Sequence, residues 1–166
     1  MKLKTKIIIG TALCVALLAA SHADAASLDA TIHKAAKRHG LNTDLYKAVL
    51  IVESGLNPSA FNDRTRDYGL AQINHHTAIG YGFNVVRLRT SVDYNLNAGA
   101  KVLADFKAQY SDREPLTWPC RYNIGGGPLK NKARACATYL RKLNRAMAAI
   151  STDKQKRAIT TLVPLY

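Results

Sequence analysis

The stretch KAVLIVESGLNPSAF, Lys47–Phe61, decides how this chain is read. It is a helix-forming run closed by Gly55 and Pro58, and its last turn carries one glutamate, Glu53. Asn42 or Thr43 caps the helix, and Leu45, Val49, Val52 and Glu53 stand at i, i+4, i+7 and i+8. The carboxylate therefore shares the core-facing stripe. Burial disfavours its charge and raises its pKa. The negative end of the helix acts in the same direction. The expected product is a carboxylic acid still protonated near neutral pH and able to give up a proton. Only one other glutamate exists, Glu114, and it precedes Pro115 in a polar turn. The competing reading of Glu53 is a carboxylate at the rim of the stripe, paired with a lysine or arginine.

Outward from this helix the chain reads as mainly α. Ser27 caps a first helix running to about His39, stopped by Gly40. From Phe61 to Phe83 the helical pattern breaks. Asn62, Asp63, Gly69, Gly80 and Gly82 mark turns, and a short β-ribbon is expected near Tyr68 to Ile73. Ser91 caps a long helix whose face is Val92, Leu96, Gly99, Leu103, Phe106 and Tyr110. Gly99 within it permits close approach of a neighbouring helix, at a helix-propensity cost of about 1 kcal/mol relative to alanine. A last long helix starts near Asn131, with Cys136, Leu140, Leu143, Met147 and Ile150 on one stripe.

At the start of the chain, Lys2, Lys4 and Lys6 lead into an apolar run, Ile7 to Ala20. A membrane span needs about 20 apolar residues; this shorter run suits a secretory signal, with cleavage expected after Ala25. An uncleaved anchor is the alternative. The domain reading is then 1–25 signal peptide, 26–150 folded domain, and 151–166 a basic tail, helical or disordered. Export to the periplasm would leave two cysteines, Cys120 and Cys136. An even count in an oxidising compartment points to a disulfide, against the alternative of two separate thiols. The formal net charge of +13 attracts polyanions, whether acidic cell-wall peptides, phospholipid headgroups or nucleic acid, and does not choose among them. No metal-ligand spacing stands out, and His75-His76 read as surface residues.

Two further clusters carry polar chemistry. RDYGLAQIN sets Asp67, Gly69, Gln72 and Asn74 around the apolar Leu70, Ala71 and Ile73. Amides on an irregular ribbon suit sugar hydroxyl and acetamido groups; the plainer reading is an ordinary hairpin turning at Gly69. WPCRYNIGGG places Trp118, Tyr122 and Asn123 before three glycines that let backbone approach a ligand. The plainer reading there is a helix connection with its aromatics in the core.

Taken in order, ESGLNPSAFN, DYGLAQIN and YNIGG, with NLNAGAKVL between the last two, resemble the catalytic domain of soluble lytic transglycosylases within the lysozyme-like superfamily. The resemblance runs from about Ile32 to Ala146. It implies a helical fold with a short ribbon and a sugar-binding cleft. Glu53 with Ser54 matches the family's catalytic Glu-Ser pair. Gly69, Leu70, Gln72 and Ile73 match its cleft-lining segment, and Tyr122 with Asn123 matches its Tyr-Asn pair. Asn74 and Asp67 are further candidates for substrate contact. Ala71 stands where methionine is usual, and Arg121 and Ile124 stand where alanines are common, departures that would alter subsite shape or charge.

The activity implied is cleavage of the β-1,4 bond between N-acetylmuramic acid and N-acetylglucosamine in peptidoglycan, with Glu53 as acid and then base. The C6 hydroxyl would attack to leave a 1,6-anhydro end. No cofactor and no metal are implied. Size and export signal resemble the specialised enzymes that accompany secretion, conjugation or pilus machines. One rival is a hydrolytic muramidase using Asp67 as second carboxylate. Another is a non-catalytic wall-binding component of a secretion apparatus. Nucleic-acid binding is disfavoured, since no recognition motif is present.

Overall fold

The computed structural model describes residues 26–162, with side chains to Lys156. The expected signal peptide, and Cys14 within it, lie outside the described residues. Helix α1 covers 26–38, and Gly40 after it takes the left-handed conformation that suits glycine. Ser27 lies inside α1 and does not cap it, since residue 26 is already helical. Helix α2, Thr43–Ser54, starts at Asn42, whose side chain accepts from the Leu45 amide, and ends at Gly55 with φ 62°.

Three two-residue strands follow: β1 Phe61–Asn62, β2 Asp67–Tyr68 and β3 Ile73–Asn74. They form one antiparallel sheet in which Tyr68 pairs with both Phe61 and Ile73. The expected ribbon is therefore present, with one strand more. Two short helices were not expected: α3, His75–Gly80, lies in the stretch read as turns, and α4, Val85–Thr90, in the stretch before Ser91 that was given no element. Both are too short to display a period. Each is started by an asparagine, Asn74 or Asn84, whose side chain accepts a backbone N–H.

The central element is α5, Val92–Tyr110, capped as expected by Ser91. It is buried on more than one face. Asn95, Leu96, Ala98, Gly99, Ala100, Val102 and Leu103 are all covered, whereas Val92 is exposed at the helix entry. A 3-10 turn, Trp118–Cys120, leads into the short α6, Arg121–Ile124. The last helix, α7, runs Ala133–Leu162 and so continues without a break through the basic segment beyond Ile150. Its buried stripe is Cys136, Tyr139, Leu143, Ala146 and Ile150. Leu140 and Met147, expected on that stripe, are only partly covered, because the face turned to α2 is centred about one residue away from them.

A disulfide joins Cys120 to Cys136 and ties the α6 entry to α7. Closing a loop of this length contributes about 3 kcal/mol. Further along α7, Lys154 pairs with Asp44 at the start of α2. Such an exposed pair adds roughly 0–1 kcal/mol. Among the described residues no helix is long and apolar enough to cross a membrane.

Candidate active site

The buried positions of α2 are Tyr46, Ala48, Val49 and Leu50. Tyr46, Val49, Leu50 and Glu53 therefore form the core-facing stripe at i, i+3, i+4 and i+7. Leu45 and Val52, which the spacing had placed there, are only partly buried. The correction leaves Glu53 where it was expected, one turn beyond the last fully buried position. Its Oε1 accepts a 2.6 Å hydrogen bond from the Tyr139 hydroxyl of α7.

Desolvation dominates the electrostatics of Glu53 and pushes its pKa from 4.5 up to about 7. The Tyr139 hydrogen bond and the Lys142 ammonium pull it down, and the negative Asp67 adds to the rise. The result is a carboxylic acid about half protonated near neutrality. Burial raises the pKa of Tyr139 as it does that of Glu53, and the adjacent carboxylate adds to the rise. Its phenol is held well above the usual range and stays a donor.

The segment from Gly69 to Gln72 is held by α5. Asn95 is buried and fully used. Its Oδ1 accepts from the Ala71 amide, and its Nδ2 donates to the Tyr68 and Leu88 carbonyls. Gly69 has φ +68°, and a Cβ there would lie 2.5 Å from Asn95 Nδ2. Gly99 does for α5 what Gly69 does for the loop. A Cβ on it would lie 2.4 Å from Ala71 Cβ, 2.8 Å from the Tyr46 hydroxyl and 3.2 Å from the Tyr122 hydroxyl. The close approach that Gly99 permits is thus to a loop and two phenols. Tyr122 donates to the Ala71 carbonyl at 2.7 Å, and Tyr46 donates to the Leu96 carbonyl at 2.6 Å. Tyr122 is close enough for the Glu53 charge to help raise its phenol pKa.

The transglycosylase SLT domain profile matches residues 30–145, which takes in most of α1, all of α2 to α6 with the sheet, and a little under half of α7. The chain belongs to the transglycosylase SLT domain family. The family performs lytic transglycosylase-type cleavage of peptidoglycan. Protein IpgF of Shigella flexneri is 32% identical over 131 residues, a match that spans 74% of this chain and 82% of that protein. No solved structure matches the chain.

Within this SLT domain the sequence candidates separate by what their polar atoms do. Gln72 has φ +45° and spends its Nε2 on the Gly69 and Ala60 carbonyls, at 2.8 and 3.3 Å. It fixes the loop in a conformation that a non-glycine residue otherwise avoids. Asn74 caps α3 through its Oδ1, while its Nδ2 donates to Asp67 and to the Thr65 carbonyl. Both oxygens of Asp67 are engaged, one by Asn74 at 2.8 Å and one by the Thr65 hydroxyl at 2.5 Å. Asn123 is exposed and lines a cavity of about 560 Å³ shared with Tyr139 and Lys142.

The departures from the family pattern turn inward. Ala71 is fully buried, with its Cβ against Gly99 of α5. Arg121 is 2% exposed. It forms a two-pronged pair with Glu114, donates to the Gly125 and Gly127 carbonyls, and stacks 4.2 Å over the Tyr110 ring. Its charge is neutralised internally, and it shapes the glycine loop from beneath. The guanidinium holds Glu114 below the usual carboxylate range. Ile124 and Trp118 are both in the core, which for Trp118 is the plainer of the two readings. His75 is half-buried and bonded to the Tyr68 hydroxyl, while His76 is exposed as expected. Among the described residues, no group of three or more His, Cys, Asp and Glu side chains is disposed to hold a metal ion.

Tyr139 and Asn95 were absent from the candidates drawn from sequence. Tyr139 stands three residues after Cys136 and four before Leu143, so a stripe drawn through those two would have included it. Asn95 opens the family-like NLNAGAKVL segment, but a buried asparagine gives no periodic signal.

Proposed function

We propose that this SLT domain is a periplasmic lytic transglycosylase in which Glu53 alone serves as general acid and then general base. The observation that carries the reading is the Glu53–Tyr139 pair: a desolvated carboxyl group with one oxygen held and the other available to carry a proton. In the first step Glu53 protonates the glycosidic oxygen between N-acetylmuramic acid and N-acetylglucosamine. The acetamido group of the muramic acid stabilises the cationic centre, so a second protein carboxylate is not required. Glu53, now a carboxylate, takes the proton of the C6 hydroxyl as that oxygen closes the 1,6-anhydro ring.

The family match supports this single-carboxylate reading over a lysozyme-type pair. Tyr122, Gln72, Asn123 and Gly69 position substrate, Gln72 and Gly69 through the loop backbone they fix. Export through the segment 1–25, and service to a secretion, conjugation or pilus machine, belong to the same proposal. A folded Glu53→Gln protein tests it. Loss of at least a hundredfold in release of soluble wall fragments is expected for removal of a general acid. Retention of activity would overturn the assignment of Glu53.

A further inference from the structure

We propose that the cavity beside Glu53 is a subsite for the carboxylate-bearing stem peptide of peptidoglycan, held by Arg134 and Lys142, so that the domain prefers peptide-bearing glycan to bare glycan. This rests on the peptidoglycan reading above. The cavity, about 560 Å³, is walled on one side by α7 and on another by Asn123. Tyr139 belongs to its lining and donates to Glu53, so the cavity adjoins the reacting carboxyl.

Its chemistry is one-sided. Three cations line it, Lys132, Arg134 and Lys142, and none of the lining residues is acidic. Lys132 is already committed to the Ile124 and Gly126 carbonyls. Arg134 and Lys142 form no salt bridge or hydrogen bond with any described residue, and both are exposed. Elsewhere Lys47, Lys101 and Lys154 each face a carboxylate of their own. Thr138, between Arg134 and Lys142, accepts from Arg141, and Asn123 and Asn131 add neutral amides.

Spacing supports an extended ligand. Arg134, Thr138 and Lys142 are at i, i+4 and i+8 on one face of α7, so the two cations are separated by about 12 Å along the axis. An extended peptide advances about 3.3 Å per residue, and a stretch of roughly four residues spans the two charges. A neutral glycan offers these cations nothing to neutralise; a stem peptide carrying several carboxylates does.

The test uses folded Glu53→Gln protein, which binds without turnover, and glycan oligomers of equal length with stems intact or removed by an amidase. Affinity for the peptide-bearing form should be about tenfold higher at low salt, the sum expected of two exposed charge contacts. The ratio should fall towards one when R134Q and K142Q are added, and also as salt is raised. Removing two charges from α1 instead, with K34Q and K37Q, should keep the ratio. Equal affinity for both oligomers, or a preference that survives R134Q and K142Q, would overturn the proposal. Turnover is followed separately with the unmodified protein. A binding preference without any cleavage would overturn the enzymatic reading and leave the stem subsite standing.

Discussion

The Tyr139 hydroxyl lies 2.6 Å from Glu53 Oε1 and bridges α7 and α2 through two residues that are 86 positions apart in the chain. The contact works against desolvation. Burial raises the Glu53 pKa and the phenol's hydrogen bond lowers it, so the value of about 7 is a compromise between them.

Activity that needs protonated Glu53 should decline as pH rises through about 7. Tyr139→Phe removes a group that lowers the Glu53 pKa, so the falling limb should move to higher pH. Asp67→Asn removes a negative neighbour that raises it, so the limb should move to lower pH. A pH profile of kcat/KM for the three proteins checks both signs. Complete loss of activity in Asp67→Asn would instead favour a two-carboxylate mechanism.

Glu53 should cost stability when it ionises. Its folded pKa is raised above its unfolded value, so below pH 4.5 both states are protonated and no penalty exists. The penalty grows from pH 4.5 to about 7 and then levels off at about 3 kcal/mol. Glu53→Gln, which keeps an acceptor for Tyr139, should therefore be more stable than the unmodified protein at pH 8 and similar to it at pH 4. Denaturant midpoints at the two pH values measure the difference.

Asn95→Leu should destabilise the fold by about 3 kcal/mol or more, because it leaves the Ala71 amide and the Tyr68 and Leu88 carbonyls buried without partners. Gly99→Ala gains about 1 kcal/mol of helix propensity. Its methyl would nevertheless sit 2.4 Å from Ala71 Cβ, and overpacking of that kind costs about 1–3 kcal/mol. The displaced Ala71 carries the acceptor for Tyr122, so activity should fall further than stability does. Thermal unfolding and turnover measured on one preparation separate the two effects.

The glycine loop should depend on its buried ion pair. Arg121→Ala strands Glu114 and frees two carbonyls, an expected loss of about 3–5 kcal/mol. Adding Glu114→Ala should recover part of it, since the stranded charge goes too. A double-mutant cycle by denaturant titration reads the coupling, and additivity of the two changes would contradict a direct pair.

Features decided within a turn were readable in the sequence, and those that depend on distant contacts were not. Asn42, Gly55 and Ser91 are local signals, because cap chemistry is decided within a turn, and all three act as read. The paired cysteines follow from counting. Phasing was less secure: Leu45 and Val52 stood in for Tyr46 and Leu50, since a 3.6-residue repeat with many apolar neighbours leaves the stripe's centre uncertain by a residue. The same slip on α7 hid Tyr139. The inward turn of Arg121 depends on Glu114 and Tyr110, seven and eleven positions earlier, and no local pattern announces such a pairing.

The most direct test of the central claim is mass analysis of the fragments released from purified peptidoglycan by the unmodified protein, with Glu53→Gln alongside. One carboxyl group acting first as acid and then as base predicts 1,6-anhydromuramic acid ends from the unmodified protein and none from the variant. Ordinary reducing ends, or anhydro products that persist without the Glu53 carboxyl, would contradict it.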